Sequence, residues 1–201
     1  MAERSNVYEA MIIFDSNRYA RERAGMPAEV EKMIQAGGGE VLEALAARCP
    51  GASAKEKFDG RLMDATIAGE RSLLLWPYTL MNRSGQSAKA AADFYQLLPA
   101  DLLVVCDDFN LPLGKLRLRS SGSAGGQKGL EDIIKRLGTE EFSRLRIGIG
   151  AVPDSWDAAD FVLGKFGPSD KPIVDESIDR AVDAVECWVA EGIAVGMNRF
   201  N

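Results

Sequence analysis

The sequence predicts an α/β fold: a single-domain sandwich with a mixed, mostly parallel central sheet flanked by helices. Three observations carry this. Strand-type and helix-type patterns alternate through the middle of the chain. Leu102–Cys106 is a continuous apolar run, the pattern of a strand buried on both faces. The 201 residues, 46% of them hydrophobic, suit one compact domain with an ample core.

Each element has its own signal. Val7–Asp15, rich in large apolar residues and ended by polar Asp15-Ser16-Asn17, predicts a first strand. Asn17–Gly25 is polar, with three arginines, and reads as a loop. Pro27 suits the first turn of a helix, Glu29 and Glu31 favour its positive end, and Val30, Met33 and Ile34 give a buried stripe. Gly37–Gly39 breaks that helix. A helical pattern resumes over Glu40–Arg48 with Val41, Leu42 and Leu45 inward, and Pro50-Gly51 ends it. Phe58–Ile67 and Arg71–Trp76 predict paired strands joined by a tight turn at Ala68-Gly69-Glu70. Ser84–Leu98 reads as a helix with Phe94, Tyr95 and Leu98 on its apolar side. Leu116–Leu118 predicts a short strand with exposed arginines. Ser120–Gly126 is a Ser/Gly-rich loop leading into a helix over Gly129–Leu137, and Leu145–Ile149 is another strand. Phe161–Leu163 precedes a loop, and Ile173–Glu191 is a long amphipathic helix.

Composition narrows the function. The net charge of −6 argues against generic nucleic-acid affinity. The charge is unevenly spread, however. Lys115–Arg146 carries eight basic and four acidic residues, whereas residues from Ala151 to the end carry ten acidic and four basic ones. A local positive face is compatible with that distribution. The three cysteines, Cys49, Cys106 and Cys187, are widely spaced and predict reduced thiols, at least two of them buried. The chain has no histidine, so a Cys/His zinc site is impossible. Its apolar runs, such as Leu73–Trp76, fall far short of the ~20 residues of a membrane span. The first nine residues are polar and acidic rather than signal-like, so a cytoplasmic protein is expected.

Four segments carry a resemblance. They are Pro77-Tyr-Thr-Leu-Met-Asn82-Arg-Ser-Gly85, Val104-Val-Cys-Asp107-Asp-Phe-Asn-Leu-Pro-Leu-Gly114, Gly122-Ser-Ala-Gly-Gly-Gln-Lys128-Gly-Leu130 and Arg144-Leu-Arg146-Ile-Gly-Ile-Gly150. Together, from near Val41 to the C-terminus, they resemble bacterial peptidyl-tRNA hydrolase. The resemblance implies hydrolysis of the ester of peptidyl-tRNA by a water that a histidine activates as general base. Histidine suits that role because its ordinary pKa lies near neutrality. That family opens with a strand, a Gly-Asn-Pro-Gly turn and an Arg-His-Asn at the first helix, and none of these occurs here. Instead Val7–Arg21, with Glu31–Ile34 and Gly38–Leu42, resembles the start of ribosomal small-subunit protein six. That family also begins strand-then-helix, so the element order survives the change.

The resemblance assigns site residues by position. Asp107 stands at the place of the aspartate that orients the histidine; from the residues alone, an aspartate capping a turn is the other reading. Asn82 matches the asparagine that grips the substrate backbone, with helix N-capping as the bland alternative. Gln127 and Lys128 fall where many members carry His-Asn; Gln127 still donates and accepts, while Lys128 only donates. Gly125 and Gly126 belong to the loop that lines the substrate cleft. Arg117, Arg119 and Arg146 match basic positions near tRNA phosphates, against the plainer reading of a solvated strand face. Asn17 follows the first strand where the family's turn asparagine sits. Asp15 and Glu22 share that loop, but an exposed carboxylate, with a pKa of about 4, is a weak base at neutrality. The implied partner is peptidyl-tRNA or tRNA, bound by a monomer without cofactor, metal or membrane. Two alternatives stand beside this: a non-catalytic RNA-binding protein on the same scaffold, and a recombined gene product without a selected function.

Overall fold

The computed structural model describes residues 10–15, 38–49, 51–153, 155, 161 and 166–201. Its centre is a seven-stranded sheet of order β2-β3-β4-β1-β5-β7-β6. The strands are β1 (Ala10–Asp15), β2 (Ala54–Glu56), β3 (Gly60–Ile67), β4 (Glu70–Pro77), β5 (Leu102–Asp108), β6 (Leu116–Arg119) and β7 (Ser143–Gly148). The helices are α1 (Gly38–Ala47), α2 (Ser84–Tyr95), α3 (Lys128–Leu137), α4 (Lys171–Glu191) and α5 (Ile193–Phe200). The expected α/β sandwich with a mixed sheet is present. Parallel pairings hold the centre, where β1 lies between β4 and β5, and β5 pairs with β7. Antiparallel pairings close both flanks.

The expected first strand is in the sheet. Ala10–Ile13 pair with Ser72–Leu75, and Met11–Asp15 pair with Leu102–Cys106. A central strand needs neighbours on both edges more than it needs one particular sequence, so an unusual opening can still complete the sheet. Residues 7–9, the helix expected around Pro27, and Asn17, Glu22 and residues 162–163 lie outside the described residues.

Two apolar layers sandwich the sheet. Val41, Leu42 and Leu45 of α1 join Ile178, Val182 and Val185 of α4 on one face, over Leu74, Leu103, Val105 and Leu145. On the other, Ala88, Ala91 and Ala92 of α2 and Leu130 and Ile133 of α3 cover Leu73, Leu75, Leu102 and Val104. Cys106 and Cys187 are buried and Cys49 half-buried, all three unbridged, as expected. No described helix is long and apolar enough to cross a membrane.

Several elements depart from the sequence reading. Phe58 is not in a strand. It and Asp59 take φ of 60° and 52° in a two-residue turn between β2 and β3. The helix over Ser84–Leu98 stops at Tyr95, where Gln96 turns left-handed with φ 56°. Phe94 and Leu98 are not on its inward side, being 60% and 56% exposed, whereas Tyr95 is half-buried against the core. Ser84, Gly85, Ser87, Ala88, Ala91 and Ala92 are buried instead. The reason is close helix packing. A side chain on Gly85 would sit 2.4 Å from the Asp132 carbonyl oxygen, so only small residues fit between α2 and α3. Phe94 is covered from outside by Lys57, whose Nζ stands 3.2 Å from the ring centroid, a cation–π contact.

β2 and α5 were not foreseen. The last helix closes an edge: Asn201 Oδ1 accepts from the Leu118 N–H at 2.7 Å, and its Nδ2 donates to the Leu118 carbonyl at 3.3 Å. These bonds occupy β6 backbone groups that would otherwise face outward at a sheet edge.

Candidate active site

Open α/β sheets place their chemistry beyond the carboxyl ends of the strands, where neighbouring connections diverge. Here that point is β1, which has β4 on one side and β5 on the other. Asp107 at the end of β5 and Asn82 beyond the end of β4 both lie at this edge. Asn17 follows β1 and is outside the described residues.

The two aspartates of β5 have separate roles. Asp108 is buried, and its Oδ1 accepts from the Asn110 N–H at 2.9 Å and the Asn110 Nδ2 at 3.2 Å. Its Oδ2 meets the Arg146 guanidinium in an ion pair. The turn-capping role thus belongs to Asp108. Asp107, its strand neighbour, projects to the opposite face and is half-buried.

Gln127 reaches this strand end. Its Nε2 donates to the Asp107 carbonyl at 2.8 Å, which fixes the amide. Its Oε1 is buried and has no hydrogen-bond partner among the described residues. Lys128 opens α3 and is exposed. Gly125 and Gly126 turn the loop just before, with φ of 59° and 84°, values that glycine adopts without steric cost.

Arg144 anchors that loop. It is 2% exposed, and its guanidinium donates to the carbonyls of Gly122, Ser123 (3.2 Å), Glu140 (2.8 Å) and Phe142 (3.3 Å). Burial pulls its pKa down from the usual arginine value. The sequence motif assigns Arg144 no role; its signal is an arginine inside a strand that also packs the core.

The basic residues share one face. In the antiparallel register Arg117 stands opposite Arg146, and Arg119 opposite Arg144. Directly opposed residues lie on the same side of a sheet. Arg146 is tied to Asp108, and Arg144 to the loop carbonyls. Arg119 is exposed and donates to its neighbour's carbonyl at 2.8 Å, and Arg117 makes no ion pair among the described residues. The freest cations of the face are therefore Arg117, Arg119 and, at the head of α3, Lys128.

Asn82 occupies a 3-10 turn, Met81–Arg83, and its side chain is exposed. It does not cap α2, whose N-cap position is Arg83. The helix start is served instead by Asp132 of α3, whose Oδ2 accepts from the Gly85 N–H at 2.9 Å. The backbone approach at Gly85 and this bond together fix the turn against α3. Beside it runs a groove lined by Asp59, Tyr78, Thr79, Leu80, Arg83 and Gln86.

A family model described as peptidyl-tRNA hydrolase matches residues 35–201. A peptidyl-tRNA hydrolase of Rhodopirellula baltica is 50% identical over 161 residues, 80% of this chain and 85% of its own length. One from Chloroflexus aggregans is 42% identical over 185 residues, covering 92% of this chain and 93% of that protein. The crystal structure of peptidyl-tRNA hydrolase from Acinetobacter baumannii is similar over 100% of this chain and 97% of that one, with a TM-score of 0.79 and 30% identity.

Proposed function

The chain belongs to the peptidyl-tRNA hydrolase family, a family of hydrolases, and from that premise we propose that it binds peptidyl-tRNA but hydrolyses its ester far more slowly than a histidine-containing member. What supports this reading is a sheet edge that carries Asn82 and Asp107, with the glycine loop leading into α3, in a chain that has no histidine.

In this reading the ester lies at the carboxyl edge, with Asn82 holding the peptide backbone next to it. Gln127 offers the acceptor Oε1, held in place by its bond to the Asp107 carbonyl. Lys128, Arg117 and Arg119 face tRNA phosphates, with Arg146 behind them on Asp108. Arg144 keeps the loop carrying Gly125 and Gly126 in position. Asp107 remains at the orienting position with no ring to orient. General-base catalysis typically contributes about 10²–10⁴-fold, and the chain has no imidazole to supply it.

The chain acts in this reading as one domain and a monomer, in the cytoplasm, without a metal or cofactor. Its first residues, in this reading similar to the start of a ribosomal protein, supply a strand to the sheet. A second reading, a tRNA-binding protein without catalysis, is favoured by the same missing histidine together with the cations at Arg117 and Arg119.

A graft tests the proposal. Replacing Met1–Gly39 by a family-type opening with its Asn-Pro-Gly turn and Arg-His-Asn is expected to raise peptidyl-tRNA hydrolysis by about 10²-fold or more. In the graft, Asp107→Ala then becomes deleterious. A folded graft that binds peptidyl-tRNA yet gains no activity would contradict the proposal.

A further inference from the structure

We propose that the groove lined by Asp59, Tyr78, Thr79, Leu80, Arg83 and Gln86 receives the peptide segment beyond the esterified residue, and that Arg83 favours acidic over basic side chains there. This rests on the reading of the site as a peptidyl-tRNA site.

Placement is the first argument. The strand order puts the β2–β3 turn and the end of β4 on one side of Asp107, and β7 and β6 on the other. Arg117 and Arg119 are on β6, the far flank. A substrate with two arms leaving one ester, its tRNA held by that flank, must send its peptide the opposite way. That path runs past Asn82 into the groove, because Leu80 and Arg83 bracket the turn carrying Asn82.

The lining suits a peptide. Thr79 Oγ1 is buried and has no partner among the described residues, so a hydrogen bond there is still to be made. An unmet buried hydroxyl is unfavourable, and a rotation of the Thr79 side chain toward the groove would let a peptide N–H or C=O satisfy it. Leu80 is 54% exposed and offers apolar area to a side chain. Such a mix of apolar surface and a few placed polar groups is typical of ligand sites.

The wall is built under strain. Phe58 and Asp59, neither of them glycine, both take left-handed backbone angles. The turn is held by Lys57 N–H to the Gly60 carbonyl at 2.9 Å and Tyr78 N–H to the Asp59 carbonyl at 2.8 Å. The Asp59 carboxylate accepts from Gln86 Nε2 at 2.9 Å. Strain persists where surroundings over-determine a conformation, and such places are often ligand clamps. Asp59 is thereby engaged, whereas Arg83 makes no ion pair among the described residues and is exposed. Arg83 is the cation of the lining and can pair with an incoming acidic side chain.

The test uses the full chain and tRNA ending in 3′-amino-3′-deoxyadenosine, carrying an N-acetylated tripeptide through a stable amide. The second residue from the linkage is Glu in one probe and Lys in the other. The Glu probe is expected to bind about five-fold more tightly, the scale of one exposed charge contact, and Arg83→Glu to reverse the order. Equal affinities in the natural chain, or an order unchanged by Arg83→Glu, would overturn the proposal. Should tRNA itself fail to bind, the tRNA reading is what fails. The same tripeptides on a single adenosine, followed by NMR at millimolar concentration, then decide the groove. Charge ordering that Arg83→Glu reverses supports it, and its absence refutes it.

Discussion

Arg144 holds the Gly122–Ser123 loop to the start of β7 through backbone carbonyls alone. A buried guanidinium is costly to desolvate, and here four carbonyl acceptors compensate it. Arg144→Met keeps much of the length but leaves those carbonyls without their donor. It is expected to lower unfolding stability by about 2–4 kcal/mol and to speed amide exchange in residues 120–126. Chemical denaturation and hydrogen exchange check this; a loss under about 0.5 kcal/mol would contradict it. Residue roles were only partly legible in the sequence. Asp107 and Asn82 stood out through the surrounding motifs, not through their own chemistry. The split between Asp107 and Asp108 was invisible, because only the pleat decides which carboxylate faces Arg146. Arg144 hid among strand arginines that read as a solvated face.

At the scale of elements, the β6–β7 ribbon concentrates positive charge that an acidic chain otherwise disperses. Opposed arginines repel, so Arg146 and Arg144 are each tied down while Arg117 and Arg119 remain for an anion. Replacing Arg117 and Arg119 together by alanine is expected to weaken tRNA binding and to flatten its dependence on salt by about two counterions' worth. Titrations at several salt concentrations measure both, and an unchanged slope would put tRNA on another face. The sequence displayed elements best where burial is simple. Leu102–Cys106 read as a strand because both of its faces are covered. The edge strand Ala54–Glu56 is exposed at every position and has no large apolar residue, so no periodicity marked it. The face of α2 misled because its inward side is serine, glycine and alanine, chosen by the close approach at Gly85. α5 was hidden by Gly192, which ends α4 and begins the next helix within one residue.

For the molecule as a whole, the proposed reading separates fold from chemistry at the N-terminus. β1 completes the centre of the sheet through backbone pairing with β4 and β5, a requirement that many apolar sequences meet. In the proposed reading the general base is a single side chain of a type, histidine, that the chain lacks throughout. The α/β fold was therefore legible from patterning, while the proposed loss of catalysis rests on a single absent residue type. The most direct test is the rate of peptidyl-tRNA hydrolysis by the natural chain beside a histidine-containing relative, each also measured as the variant at the orienting aspartate. The account predicts a rate about 10²-fold or more below the relative, and little further change with Asp107→Ala. A rate equal to the relative's, abolished by Asp107→Ala, would contradict it and make Asp107 the base itself.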